Sequence, residues 1–150
     1  MFSFTLSAKN RKRLVCLAKK AVENKGRYNL ERGIATNFIK FTESWGVKFS
    51  KVSYMPTIFK NQRRAWRHCL GPYCFGLFQV GEFICYITKV ETILANMGMK
   101  LLQARDYFRK ESRRCSDLLD KKIGFSFHDN HWRNCAMVNG VVICIDFGSE

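Results

Sequence analysis

No aspartate or glutamate occurs between Ser44 and Gly81, although the 150-residue chain contains 12 acidic residues. The same stretch contains several lysines and arginines, and the whole chain has 26 Lys and Arg, which gives a net charge of +14. Such an excess attracts anionic partners and says little about the fold. Nucleic acid, nucleotide phosphates and acidic protein surfaces are therefore the candidate partners.

Long hydrophobic runs are also lacking. No apolar run approaches the ~20 residues of a membrane-spanning helix, and residues 1–6 do not resemble the start of a secretion signal. A hydrophobic content of 47% with 14% aromatic residues excludes a disordered chain. We therefore expect a folded cytoplasmic protein with no membrane partner.

The chain has no Cys-x-x-Cys pair, although it contains seven cysteines, most of them in apolar segments. An odd number in an intracellular protein favours buried thiols over disulfides. A zinc site is disfavoured because the spacing of the candidate ligands matches no standard finger. Those candidates are His68, Cys69, Cys74, His128 and His131.

Helical and strand patterns alternate along the chain and predict an α+β fold. In chain order they are a helix over 7–24 capped by Ser7, two strands within 28–41 bending at Gly33, a strand around 47–49, a helix starting at Pro56 and stopping before Gly71, strands over 73–80 and 82–88, and a helical stretch over 90–120 that Gly98 interrupts. We expect two units: a basic N-terminal helix over 1–27 and one compact domain over 28–150.

The last 25 residues contain the most informative motif. Asp129 is followed five positions later by Asn134, and a second aspartate, Asp146, stands in the sequence Asp-Phe-Gly. Two short apolar runs between them meet at Asn139-Gly140, a dipeptide that favours a tight hairpin. Such a hairpin would carry Asn134 back towards Asp146.

These residue types suit phosphoryl transfer. The reaction needs a carboxylate facing the acceptor hydroxyl and oxygen ligands that hold Mg²⁺ against the nucleotide phosphates. Asp129 is the candidate for the first role, and Asn134 and Asp146 are the candidates for the second. A lone Asp-Phe-Gly or a lone Asn-Gly turn would be common, but the mutually consistent spacing of all three elements is more specific.

With this motif and the order of its elements, the chain resembles the protein kinase superfamily over residues 28 to 148. The resemblance is to the small, divergent kinases of tailed bacteriophages and to relatives with an Asp-x-His-x-x-Asn loop. It implies a small antiparallel sheet with one packed helix, followed by a truncated, mostly helical lobe. It also implies ATP and Mg²⁺ as cofactors.

The resemblance assigns roles to individual residues. It makes Asp129 the catalytic aspartate, with His131 in a supporting role, and it makes Asn134 and Asp146 the metal ligands. Lys48, on the third strand, would contact the nucleotide phosphates, and Lys51 is the second choice for that role.

The nucleotide site would be completed from the sheet. Residues 86–91 resemble the hinge whose main chain contacts adenine, which makes Ile87 and Lys89 candidate nucleotide-binding residues. Gly33 resembles the remnant of a phosphate-covering loop, although such loops have more glycines. Gln62 stands where a glutamate normally pairs with the third-strand lysine, and Phe127-His128 replace the usual His-Arg.

The favoured function is therefore an ATP- and Mg²⁺-dependent serine/threonine kinase, encoded by a phage and acting on host proteins in the host cytoplasm. The alternative is a weakly active or inactive kinase-fold protein that binds a host factor or nucleic acid through its basic surface. A small-molecule phosphotransferase is a third, less favoured option, because such enzymes build their substrate pocket in the lobe that this sequence shortens. Cys-His nucleophilic catalysis is disfavoured since no oxyanion arrangement is visible near Cys135 and His131.

Overall fold

The computed structural model describes residues 6–32, 36–91, 93, 101–127 and 132–147, with backbone only for 101–105 and 132. These residues form an α+β fold with three α-helices, a five-stranded antiparallel sheet and a separate hairpin. In chain order the elements are α1 (Ala8–Glu23), β1 (Leu30–Arg32), β2 (Asn37–Lys40), β3 (Trp45–Ser50), α2 (Met55–Arg67), β4 (Cys74–Val80), β5 (Phe83–Lys89), α3 (Leu101–Ile123), β6 (Cys135–Val138) and β7 (Val141–Cys144).

The strands of the large sheet are ordered β1-β2-β3-β5-β4, so that β5 returns to lie between β3 and β4. In the β3–β5 register, Val47 lies opposite Ile87 and Lys48 opposite Tyr86. Successive side chains of a strand point to opposite faces. Val47 and Ile87 therefore share one face of the sheet, and Lys48 and Tyr86 share the other.

Helix α1 covers the first of these faces. Its Ser7 side chain accepts a hydrogen bond from the amide of Asn10 at 3.2 Å, which satisfies one of the unpaired amides at a helix start. Its buried residues Leu14, Ala18, Ala21 and Val22 follow helical spacing and pack in one apolar cluster with the sheet residues of that face. The predicted helix over 7–24 and its cap are confirmed.

Helix α2 lies against the second face, where it joins α3 and the hairpin in a second apolar cluster. Pro56 stands in its first turn, where the missing amide costs nothing. Helix α3 contributes Phe108, Cys115, Leu119 and Ile123 to this cluster. It ends at Gly124, whose φ of +66° is the left-handed conformation common after helix ends.

The predicted strands and the second helix are present, with ends that differ by a few residues. The helical pattern over 90–120 was only partly right, because Val90 and Glu91 are not helical and Ile93 forms a β-bridge with Ala136, whereas Leu101–Ile123 is helical. The predicted interruption at Gly98 lies outside the described residues. None of the described helices is long and apolar enough to cross a membrane.

Candidate functional site

A cavity of about 250 Å³ lies between the sheet and the segments that flank the hairpin. Its size is near the lower end of ligand-binding cavities, which is ~300 Å³. Its lining comes from β1 and β2, β3, the segment after β5, and both sides of the hairpin. The lining residues are Glu31, Arg32, Thr36, Phe38, Lys48, Pro72, Thr88, Lys89, Val90, Glu91, Ile93, Arg133, Asn134, Ile145 and Asp146.

Lys48 is a half-buried cation in this cavity. Its ammonium donates a hydrogen bond to the carbonyl oxygen of Ile145 at 2.7 Å and lies 6.0 Å from the centre of the Tyr86 ring. Desolvation lowers the pKa of Lys48, while the negative charge of Asp146 acts in the opposite direction. An ammonium in such surroundings favours an anionic ligand.

The hairpin brings Asn134 and Asp146 to the same cavity. Asn139 and Gly140 turn the chain with φ values of +51° and +77°, as a tight two-residue hairpin turn requires, so the predicted hairpin is confirmed. The amide of Ile145 donates to the carbonyl of Asn134 at 3.0 Å. Residues eleven or twelve positions apart are thereby held side by side at the open end of the hairpin.

The two side chains offer an amide oxygen and a carboxylate. Oxygen ligands of this kind suit Mg²⁺, which is commonly held by one or two carboxylates with substrate phosphates and water completing the shell. Asp146 is exposed, and the next residue, Phe147, is fully buried. The buried ring anchors the chain while the carboxylate stays accessible. Asn134 and Asp146 are therefore the described residues that could hold a magnesium ion here.

Gln62 is fully buried but does not reach Lys48. Its amide nitrogen donates to the Pro72 carbonyl at 3.1 Å and to the Thr88 hydroxyl at 2.7 Å. Its amide oxygen accepts from the Tyr86 hydroxyl at 2.8 Å. Pro72 and Thr88 both line the cavity, so this neutral network fixes one cavity wall to α2.

We expect Tyr86→Phe to lower the free energy of unfolding by about 1–3 kcal/mol, the usual cost of a buried acceptor left without its donor. The lost donor is the Tyr86 hydroxyl, which donates to the amide oxygen of Gln62. Urea unfolding measures the change, and Tyr107→Phe on the exposed side of α3 is the matched control. Equal transition midpoints for the two variants would show that the network does not stabilise the fold.

The structure brings four of the predicted site residues to one cavity: Lys48, Lys89, Asn134 and Asp146. It does not bring Ile87 there. That side chain is fully buried beneath α1, on the opposite face of the sheet from Lys48. Gly33, Asp129 and His131 lie outside the described residues, although Arg32 and Thr36, the described residues before and after Gly33, both line the cavity.

Lys51, the second choice for the phosphate-binding lysine, lies elsewhere. Its ammonium pairs with the carboxylate of Glu82 at 3.1 Å, and both side chains are exposed. It is absent from the cavity lining. Lys48 is thus the lysine that the fold positions beside Asn134 and Asp146.

The main-chain amides at the end of β5 and directly after it already donate hydrogen bonds within the protein. The amide of Lys89 donates to Tyr73 at 2.8 Å, and that of Val90 donates to Ser44 at 2.8 Å. An adenine ring would therefore need a donor from Glu91 or beyond. Burial raises the pKa of the Glu91 carboxylate. The charge of the Lys89 ammonium, 3.7 Å away, offsets this only in part.

Two arginines that line the cavity were not predicted as site residues from the sequence. Arg32 directly precedes Gly33, and Arg133 directly precedes Asn134, so their adjacency to predicted site residues was the available signal. Together with Lys48 and Lys89 they give the cavity lining four cations, against the three carboxylates of Glu31, Glu91 and Asp146. The planar guanidinium groups are suited to pairing with phosphate oxygens.

No protein-family model matches the chain, and no curated protein matches its sequence.

Proposed function

We propose that the protein is a protein-kinase-like phosphotransferase that binds ATP with Mg²⁺ and transfers the terminal phosphoryl group to serine or threonine hydroxyls of a host protein in the cytoplasm. The observation that carries the proposal is the convergence of Lys48, Asn134 and Asp146 on one cavity. A half-buried cation beside an amide and an exposed carboxylate suits magnesium triphosphate.

The order of the elements supports the same proposal. A five-stranded antiparallel sheet has one helix inserted between β3 and β4, and the cavity lies where the sheet meets the Asp-Phe-Gly segment. This arrangement resembles the nucleotide-binding half of protein kinases. The resemblance is one of architecture, and function is argued from the site.

Each residue would have a distinct task. Mg²⁺, when bound, would neutralise phosphate charge, and Asn134 and Asp146 would hold it. The Lys48 ammonium would donate hydrogen bonds to phosphate oxygens. It would either give up its hydrogen bond to the Ile145 carbonyl or keep that bond with another of its N–H groups. Asp129 would accept the proton of the attacking hydroxyl, with His131 supporting its loop. Because charge builds up on the transferred group, fixed cations around it stabilise the transition state.

Nucleotide binding should be visible as a thermal shift. A ligand at 100 times its dissociation constant stabilises the native state by ~2.7 kcal/mol, which for a domain of this size corresponds to roughly 5–10 °C. We expect that shift with millimolar ATP and Mg²⁺, and a smaller one with adenosine. Absence of any shift with ATP and Mg²⁺ would refute the proposal at its first step.

Chemistry is tested separately, by transfer of labelled γ-phosphate from ATP to the protein itself or to basic and acidic carrier proteins. We expect incorporation by the wild type and none by Asp129→Ala. Equal incorporation by both would remove Asp129 from the mechanism.

A second candidate function is a nucleotide-binding protein with little or no transferase activity that inhibits a host factor. The hydrogen bonds of Gln62 favour it, because they leave Lys48 without the acidic partner that active kinases use to position this lysine. This candidate predicts the thermal shift with ATP but no label transfer to any acceptor.

A further inference from the structure

The outer face of α2 is a continuous stripe of positive charge. Lys60, Arg63, Arg64 and Arg67 occupy positions i, i+3, i+4 and i+7, which lie on one side of a helix. The buried residues Met55, Ile58, Gln62 and Ala65 occupy the opposite side. We call the four cations the α2 basic face.

This face is not neutralised within the described part of the protein. None of the ion pairs between described residues includes a side chain of α2, and the chain has no acidic residue from 44 to 81. Lys60, Arg63 and Arg67 are exposed, and Arg64 is half-buried. The Arg63 guanidinium lies 5.5 Å from the centre of the Phe59 ring, a contact that helps to hold it in place.

The chemistry of the face favours a polyphosphate over an acidic protein. Protein interfaces usually have an apolar or aromatic centre, yet the large exposed hydrophobic residues of the described chain, Tyr28, Tyr54, Leu77 and Tyr107, all lie outside α2. Three of the four cations are arginines, whose planar fork matches phosphate oxygens. From Lys60 to Arg67 the stripe spans about 10 Å along the helix axis. Duplex DNA presents about six phosphate charges over that length.

We propose that the α2 basic face binds the phosphate backbone of nucleic acid without reading its sequence. The inference does not depend on the proposed phosphotransferase activity. Gln62, on the buried side of α2, contacts the cavity wall through Pro72 and Thr88, so nucleic acid on the outer face leaves the cavity accessible.

The test is the salt dependence of binding to a labelled 20-base-pair duplex, followed by fluorescence anisotropy. Each phosphate neutralised contributes about 0.9 to the slope of log K against log salt. A variant with Lys60, Arg63, Arg64 and Arg67 all changed to Gln should therefore reduce the slope by about 3 to 4. The milder pair Arg63→Gln and Arg67→Gln, both exposed, should reduce it by about 2 and covers the case in which the fourfold variant misfolds.

The matched control removes the same charge from α1, by changing the exposed residues Lys9, Lys12, Arg13 and Lys20 to Gln. We expect this control to keep most of the wild-type slope. Equal losses in the α1 and α2 variants would overturn the assignment to α2, as would no binding by the wild type at 50 mM salt. Equal binding of polyglutamate would instead indicate an acidic protein partner.

Two further measurements identify the preferred nucleic acid and separate this site from the cavity. Duplex RNA and single-stranded DNA of equal length identify which nucleic acid is preferred, and binding to one of them with the same loss in the α2 variants supports the proposal. The thermal shift with ATP and Mg²⁺ should be unchanged in the α2 variants. If the protein does not bind nucleic acid but keeps its thermal shift with ATP, only this inference is refuted. If it binds nucleic acid but shows no thermal shift with ATP, only the proposed function is refuted.

Discussion

Replacing Asp146 with asparagine should lower phosphoryl transfer by roughly 10²–10³-fold, the effect typical of removing one group that stabilises developing charge. The substitution keeps the shape of the side chain and removes the formal charge that would bind Mg²⁺. The side chain is exposed, so the fold should tolerate the change. The Mg²⁺ dependence of the ATP-induced thermal shift should be lost at the same time.

The control for this experiment is Asp117→Asn, an exposed aspartate on α3. It should transfer phosphate and bind Mg·ATP as the wild type does. A normal dependence on Mg²⁺ in the Asp146→Asn variant would show that the metal, if any, is held elsewhere. The proposed site would then lose its central ligand.

The local parts of this fold could be predicted from the sequence because their causes are local. Ser7 caps α1, and Asn139-Gly140 turns the hairpin through positive φ values. Short-range rules describe both. The hairpin alone is enough to place Asn134 beside the Asp146 segment, which explains why the spacing of these motifs was informative.

The parts that the sequence did not predict depend on long-range packing. Period-two alternation puts Tyr86 and Thr88 on one face of β5 and Ile87 on the other, but the sequence does not say which face each helix covers. Ile87 was predicted to contribute through its main chain, and the packing of its side chain beneath α1 could not be predicted. The hydrogen bonds of Gln62 also join positions 10 and 26 residues away.

Gln62 and Lys48 are held by different parts of the fold. Gln62 ties α2 to the cavity wall through neutral hydrogen bonds, and Lys48 is positioned by the carbonyl of Ile145. The position of the lysine thus depends on the segment that carries Asp146 rather than on α2. Lys48 and the segment that carries Asp146 are thus linked by a direct hydrogen bond.

The second large effect is expected from Lys48→Met, which should stabilise the unliganded protein while abolishing its thermal shift with ATP and Mg²⁺. Burial lowers the pKa of Lys48, so the charged form is held in the native state at a cost. Methionine fills similar space without a charge. We expect a gain in the free energy of unfolding, reduced by the loss of the hydrogen bond to the Ile145 carbonyl.

The pH dependence gives this prediction a distinct signature. Because the native pKa of Lys48 is lowered, the unfolded chain keeps this proton at pH values where the native protein has begun to release it. The free energy of unfolding should therefore rise with pH between the lowered pKa and the ordinary value of 10.5. The methionine variant should lack this contribution, as urea unfolding at neutral and alkaline pH can show.

ATP binding should show the opposite trend over the same pH interval. Phosphate oxygens favour the protonated ammonium, so affinity should fall as pH rises and Lys48 loses its proton. Lys51→Met, at an exposed lysine paired with Glu82, is the matched control and should change neither stability nor ATP binding by much. A Lys48→Met variant that still gains the full thermal shift from ATP and Mg²⁺ would contradict the role of this lysine, whatever its effect on stability.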